Sequence, residues 1–393
     1  MGYVVFNASL YLGALIIYWN KRRKIDVGFV LFAIYAAISI AGVFLYLSYP
    51  NAWKVQLWSF IYLFVIVLLF FRPLFFDSDT LYKRLRVRNK TALKVFAVIY
   101  VIAALISIYY SVDQTVENIK SGDWAVLRRA LYSDDIALYT NQLERWAKIF
   151  VMYLRPMAIV LLFYYMTLKK TKKIWLIIFA LAIITPAFFT AINTASRGLV
   201  LNLVILFFLG YIIFRKNLSK EIKKIFIVFV VIFLVLFLIY SLAVTLSRFG
   251  EQNQSTSLLN YFGQSMLVFN YGLTDSIQNY GYGKYFFNWF LPFFGVSPLN
   301  TSLLGAHFGT SFFTFVGAWY IDFGPVGTFI IAIILPMIIG FRTKYKRKLD
   351  IADIFLFLFY VNYLAMGVFV IGRGNALPWL MTFFLYGIFK LIK

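Results

Sequence analysis

The stretch "IWLIIFALAIITPAFFTAI" (174–192), "NTASR" (193–197), "GLVLNLVILFFLGYIIF" (198–214) sets two apolar runs against each other with five residues between them. Each run approaches the ~20 residues that an α-helix needs to cross a bilayer. So short a link returns the chain at once, which makes the pair a membrane hairpin. Arg197 stands one residue ahead of the second run, at the membrane edge, where the charge demands an explanation.

Working outward from this hairpin, similar runs recur along the 393 residues. Spans are expected at about 3–19, 27–47, 55–71, 94–110, 147–167, 174–192, 198–214, 225–246, 323–341, 351–371 and 376–391. The expected fold is therefore an all-α polytopic integral membrane protein with about 11 transmembrane helices in a single membrane domain, 1–393. Hydrophobic residues make up 62% of the chain and charged residues 13%, a balance that a soluble domain does not need. Aromatic residues at 21%, mostly Phe and Tyr, suit interfacial belts. No period-two alternation suggests a β-barrel. With no Cys and one His, disulfides, thiol nucleophiles and Cys/His zinc sites are excluded. The first apolar run lacks a basic leader and a small-residue cleavage site, and reads as a retained helix.

The formal charge of +23 is a topology signal. Alternate connections, including "KRRK" (21–24), "KKTKK" (169–173) and "RTKYKRK" (342–348), gather 27 of the 38 Lys and Arg on one side. The positive-inside rule puts that side in the cytoplasm and the N-terminus outside. Nucleic-acid binding would need a soluble basic domain, and none is present. On the outer side two connections are long, about 111–146 and 247–322. The first mixes apolar and charged residues at helical spacing, as an interfacial amphipathic helix does. The second is rich in Tyr, Phe, Asn and Gly, a mixture suited to stacking on sugars and bonding to hydroxyls.

Candidate functional residues cluster on that outer side. Arg197 and Ser196 open a helix whose first-turn N–H groups attract anions. A guanidinium placed there opposes the helix dipole unless an anion joins them, and its planar fork grips phosphate oxygens in pairs. Arg248 leaves the next helix on the same side, in "SRFG", so the two could converge on one diphosphate. His307, the only histidine, lies in "LGAHFGTS" and offers either proton transfer or phosphate contact. Arg155, beside Pro156 inside a span, needs a partner or a wet cavity. Glu251, Asp275 and Asp322 are outer carboxylates, each a base or a counter-ion. Arg373 reads as an interface anchor. No nucleotide-type phosphate loop and no catalytic triad is found.

"SRG" at a helix start, a second Arg opening a large outer loop, then "GAH", an aromatic stretch and "DFGPVG" resemble the O-antigen polymerases (Wzy-type oligosaccharide repeat unit polymerases). O-antigen ligases are their relatives, and both share a membrane fold grouped with the C-type glycosyltransferases. The resemblance covers mainly residues 190–340. Eleven spans with the N-terminus outside depart from the family, which is often drawn with more spans and both ends inside. The resemblance implies a bacterial cytoplasmic (inner) membrane enzyme of lipopolysaccharide or capsule biosynthesis, its active site facing the periplasm or cell exterior. It implies transfer of a glycan from a polyprenyl (undecaprenyl) diphosphate to the sugar hydroxyl of a second lipid-linked oligosaccharide. Arg197 and Arg248 would hold the diphosphate, and His307 would be the base or a further phosphate ligand. No cofactor and no metal are implied. Partners would be the lipid substrates, the bilayer, and a chain-length regulator and flippase of the same pathway. The competing readings are a lipid-linked oligosaccharide flippase, which should line a path through the membrane with polar residues, and a ligase, which differs only in its acceptor.

Overall fold

The computed structural model describes residues 1–76, 80–87, 89–132, 141–168, 171–249, 254–273, 277, 279–288, 290–297, 312–345, 348–369 and 376–391. Among these residues no strand forms, and one isolated bridge pairs Leu85 with Leu349. Among the described residues nine helices are long and apolar enough to cross a membrane, and seven of them end before residue 218. They are α1 (Gly2–Arg22), α2 (Val27–Ser48), α3 (Leu57–Phe71), α5 (Lys90–Ser121), α7 (Gln142–Thr167), α8 (Lys173–Asn193) and α9 (Arg197–Phe214). The other two are α10 (Lys220–Phe249) and α12 (Phe315–Gly340). Two shorter apolar helices, α13 (Ile351–Met366) and α14 (Ala376–Leu391), fall on the last two expected spans. Three further helices, α4 (Thr80–Lys83), α6 (Trp124–Tyr132) and α11 (Gln254–Val268), complete the set. The chain is a polytopic α-helical membrane protein.

The described parts of the two long connections contain helices. α5 continues to Ser121, about three turns past the expected end of its span, and is capped by Gly122 with φ 65°. The amphipathic element of the first connection is α6, and α11 lies inside the second.

Two compact units divide the chain, residues 1–78, 255–347 and 360–384 in one and residues 79–254, 348–359 and 385–393 in the other. Within the first, rings lock the helices together. Tyr11 meets Phe64 edge-on at 5.1 Å, and Phe70 meets Phe315 at 4.8 Å. Buried hydroxyls find carbonyls, as when Tyr35 donates to Leu364 at 3.0 Å. Asp26 caps α2, accepting the Phe29 N–H at 2.9 Å and the Tyr18 hydroxyl at 2.9 Å.

The same unit contains a broken helix. α12 is interrupted at Gly324, whose φ of 65° and ψ of −172° leave the helical region. Pro325 has no N–H to offer the Ile321 carbonyl, and the break removes the donor for Asp322. Both carbonyls are satisfied from the preceding loop, by Gly281 N–H at 2.8 Å and Tyr282 N–H at 2.9 Å. The stretch "DFGPVG", expected to open a span, thus begins its second half, and helical turns from Phe315 precede it.

In the second unit α5, α7, α8 and α9 pack on one another, and α10 packs on α9. α7 is buried on every side from Leu154 to Tyr165, the pattern of a helix surrounded by others. By contrast α10 leaves Ile227, Val231, Val235 and Leu238 exposed, apolar surface that suits contact with lipid.

Candidate functional site

α6 is short, but its apolar face has a definite seat. Trp124 and Leu127 join Ala195 and Val244 in a buried cluster, with Leu131, Ile192 and Tyr240 packed around it. Polar contacts fix the same position: Arg128 Nη1 donates to the Thr194 carbonyl at 2.9 Å, and the Ala125 N–H donates to Ser247 Oγ at 3.3 Å. Thus the amphipathic helix spends its apolar face on protein rather than on the membrane interface.

The α8–α9 corner under α6 is a Schellman turn. Ser196 N–H donates to the Ala191 carbonyl at 2.8 Å and Ala195 N–H to the Ile192 carbonyl at 3.1 Å. The left-handed position, usually glycine, is Ala195 with φ 45°. An L-residue there costs about 1 kcal/mol. Its methyl is buried in the α6 cluster, which offsets that cost.

This corner sets Arg197 as the first residue of α9, with Ser196 as N-cap making no side-chain capping bond. The Arg197 side chain is buried, 9% exposed, and its Nη1 donates to Thr245 Oγ1 of α10 at 2.6 Å. Thr245 Oγ1 in turn donates to the Ser241 carbonyl at 2.6 Å. Arg248 follows Thr245 by three residues in the last turn of α10, so the two Cα positions share one helix face; its side chain lies outside the described residues. Glu251, Asp275, His307 and Arg373 also lie outside them.

Beside the corner, at the end where α7 begins and α8 ends, is a cavity of about 130 Å³. α5 contributes Ser107 and Gln114 to it, α7 contributes Lys148 and Arg155, and α8 contributes Thr190 and Asn193. Thr194 and Leu199, which bracket Arg197, also line it. Arg155 is 4% exposed, and its Nε has no hydrogen-bond partner among the described residues. Its polar neighbour is the Tyr100 hydroxyl, which itself donates to the Val151 carbonyl at 3.2 Å. No carboxylate among the described residues pairs with Arg155. Lys148, two turns earlier on α7, pairs with the buried Glu144. Pro156 follows Arg155 and withholds a backbone donor from the Met152 carbonyl, on a residue that also lines the cavity.

Arg155 was legible from the sequence as a cation needing a partner or a wet cavity; Lys148, Gln114, Ser107 and Asn193 were not picked out. A signal existed on α5. Ser107, Ser111, Gln114 and Asn118 recur at helical spacing within an otherwise apolar run. That stripe meets Asn193, whose amide donates to the Ser111 carbonyl at 3.3 Å and accepts from Asn118 at 3.1 Å.

Asp322 belongs to the first unit. It is fully buried, and its oxygens accept the N–H groups of Tyr285 at 2.8 Å and Phe286 at 2.5 Å. Backbone donors, and no cation among the described residues, hold this carboxylate. Among the described residues no group of three or more His, Cys, Asp or Glu could hold a metal. Comparison with models of known families, with curated proteins and with solved structures found no match.

Proposed function

We propose that this chain polymerises lipid-linked oligosaccharide repeat units on the outer face of a bacterial cytoplasmic membrane, through an eleven-span fold of the C-type glycosyltransferase kind. The observation that supports this reading most is the orientation of Arg197. Its guanidinium is buried at the start of a membrane helix and turned onto Thr245, one turn before Arg248. Two cations carried on neighbouring faces of α9 and α10 suit one diphosphate.

In the reaction a hydroxyl of the acceptor glycan attacks the anomeric carbon of the donor. The bond from that carbon to the diphosphate oxygen breaks, a glycosidic bond forms, and the polyprenyl diphosphate leaves with the electron pair. The hydroxyl proton passes to a base, the role that the family resemblance gives to His307. Charge grows on the leaving group, and Arg197 and Arg248 would stabilise it, together with the N-terminal dipole of α9. Losing one such preorganised group costs on the order of 100-fold in rate.

The test is to incubate the purified protein with undecaprenyl-diphosphate-linked repeat units and separate the products by glycan length. A ladder that falls about 100-fold in Arg197→Ala is expected. An undiminished ladder in that variant removes Arg197 from the chemistry. Translocation without bond formation overturns the reading in favour of a flippase.

A further inference from the structure

The cavity under α6 has the chemistry of an anion site in its own right. Four donors from two helices line one hollow: the Arg155 guanidinium and the Lys148 ammonium of α7, the latter also paired with Glu144, and the Gln114 amide and the Ser107 hydroxyl of α5. Gln114 and Ser107 donate to no acceptor among the described residues, and none of the lining residues is acidic. The other polar groups there are already engaged: Thr190 Oγ1 donates to the Pro186 carbonyl and Thr194 Oγ1 to the Thr190 carbonyl, each at 2.7 Å. A guanidinium buried inside a membrane helix without a carboxylate is costly, and such a group is retained where something compensates it. Donors from α5 and from positions two turns apart on α7 are numerous enough to share among the several oxygens of a phosphate.

We propose that this cavity binds a phosphate group, with Arg155 as its principal ligand and Lys148, Gln114 and Ser107 completing the shell. The site is distinct from the Arg197–Thr245 pair: Thr194 and Leu199 line the cavity on either side of Arg197, but Arg197 itself does not, and its Nη1 is directed at Thr245 of α10. It stands whether or not the chain forms glycosidic bonds. The phosphate could arrive on a lipid headgroup or free in solution, and the chemistry recognising it is the same.

Purified protein in nanodiscs of neutral phosphatidylcholine provides the assay. In one arm inorganic phosphate is titrated against chloride at matched ionic strength. In the other, phosphatidic acid replaces part of the phosphatidylcholine. The readout is the thermal midpoint, and from its concentration dependence an apparent affinity. A rise in either arm is expected; the arm that responds identifies the source. Arg155→Gln is expected to weaken the response at least ~10-fold, since a charge-assisted bond is lost. Gln114→Leu, which removes no buried charge, is expected to weaken it several-fold and carries the test if Arg155→Gln does not fold.

No response in either arm overturns the proposal. So does a response that Arg155→Gln and Gln114→Leu share in full, because it then comes from the basic surface. Asp134 and Asp135, in the sequence before α7, are the chain's own candidate anions. If phosphate binds only in the variant Asp134→Asn with Asp135→Asn, the site is filled internally and the proposal falls; unchanged binding there supports it. A protein that responds to phosphate but builds no glycan ladder retracts the glycosyl-transfer reading and leaves this site in place.

Discussion

Two buried charges, one in each unit, are handled in opposite ways. Asp322 sits at the interruption of α12 and accepts backbone N–H groups of the loop before it, so its oxygens are hydrogen-bonded within the fold. Arg155 sits in the most enclosed stretch of α7, beside a cavity, with its Nε unpartnered among the described residues and no carboxylate against it. The first arrangement is what a structural carboxylate needs, because each oxygen removed from water finds a donor. The second leaves electrostatic free energy available to something that binds. Burial alone does not distinguish a keystone from a site; the partners do.

The largest effect is expected at the keystone. Asp322→Ala strips the acceptor from two buried N–H groups, and the cost should be about 3 kcal/mol. A lowered thermal midpoint in detergent would register it; an unchanged midpoint would mean that the loop re-satisfies its own donors, and the contrast between the two charges would dissolve. At the site the sign should reverse. Arg155→Met removes an uncompensated charge and keeps much of the volume, so the ligand-free protein is expected to gain about 1–2 kcal/mol. Thermal unfolding in neutral lipid without phosphate checks this, and a loss of stability would place Arg155 with Asp322 as a structural ion.

The smallest effect sharpens the account of the corner beside the cavity. Ala195→Gly relieves the left-handed strain of about 1 kcal/mol and forfeits a buried methyl of similar worth. The net change should stay within ~0.5 kcal/mol. Proteolytic accessibility of α6 in this variant measures whether the methyl is what seats Trp124 and Leu127; protection equal to the parent's would show that the rest of the cluster suffices.

Some of this was readable from residue order alone. Apolar runs of bilayer length announce membrane helices wherever they occur, because an unpaired backbone group in lipid is so costly that only a helix of that length satisfies the run. The hairpin of α8 and α9 and the exposed apolar face of α10 follow from this local rule. The special position of Arg155 was also visible, since a full charge inside such a run contradicts its surroundings.

Other features depended on what lies beside a residue rather than before or after it. Composition marks α6 as amphipathic, but whether its apolar face meets lipid or protein depends on the cluster formed with Ala195 and Val244, more than sixty residues downstream. A helix N-terminus makes Arg197 attractive to anions, yet its contact with Thr245 required α10 to pack alongside α9. Asp322 looked like any outer carboxylate until the interruption at Gly324 turned it toward the N–H groups of Tyr285 and Phe286. The cavity itself gathers side chains from five helices, its polar ones two at a time from α5, α7 and α8, with no motif to announce it. Chain order determined that the protein crosses membranes, because hydrophobic transfer is a property of each segment taken separately. Tertiary packing decided which buried charges are satisfied and which are left for a ligand, because hydrogen bonds and ion pairs reach only about 3–4 Å and depend on which helices become neighbours.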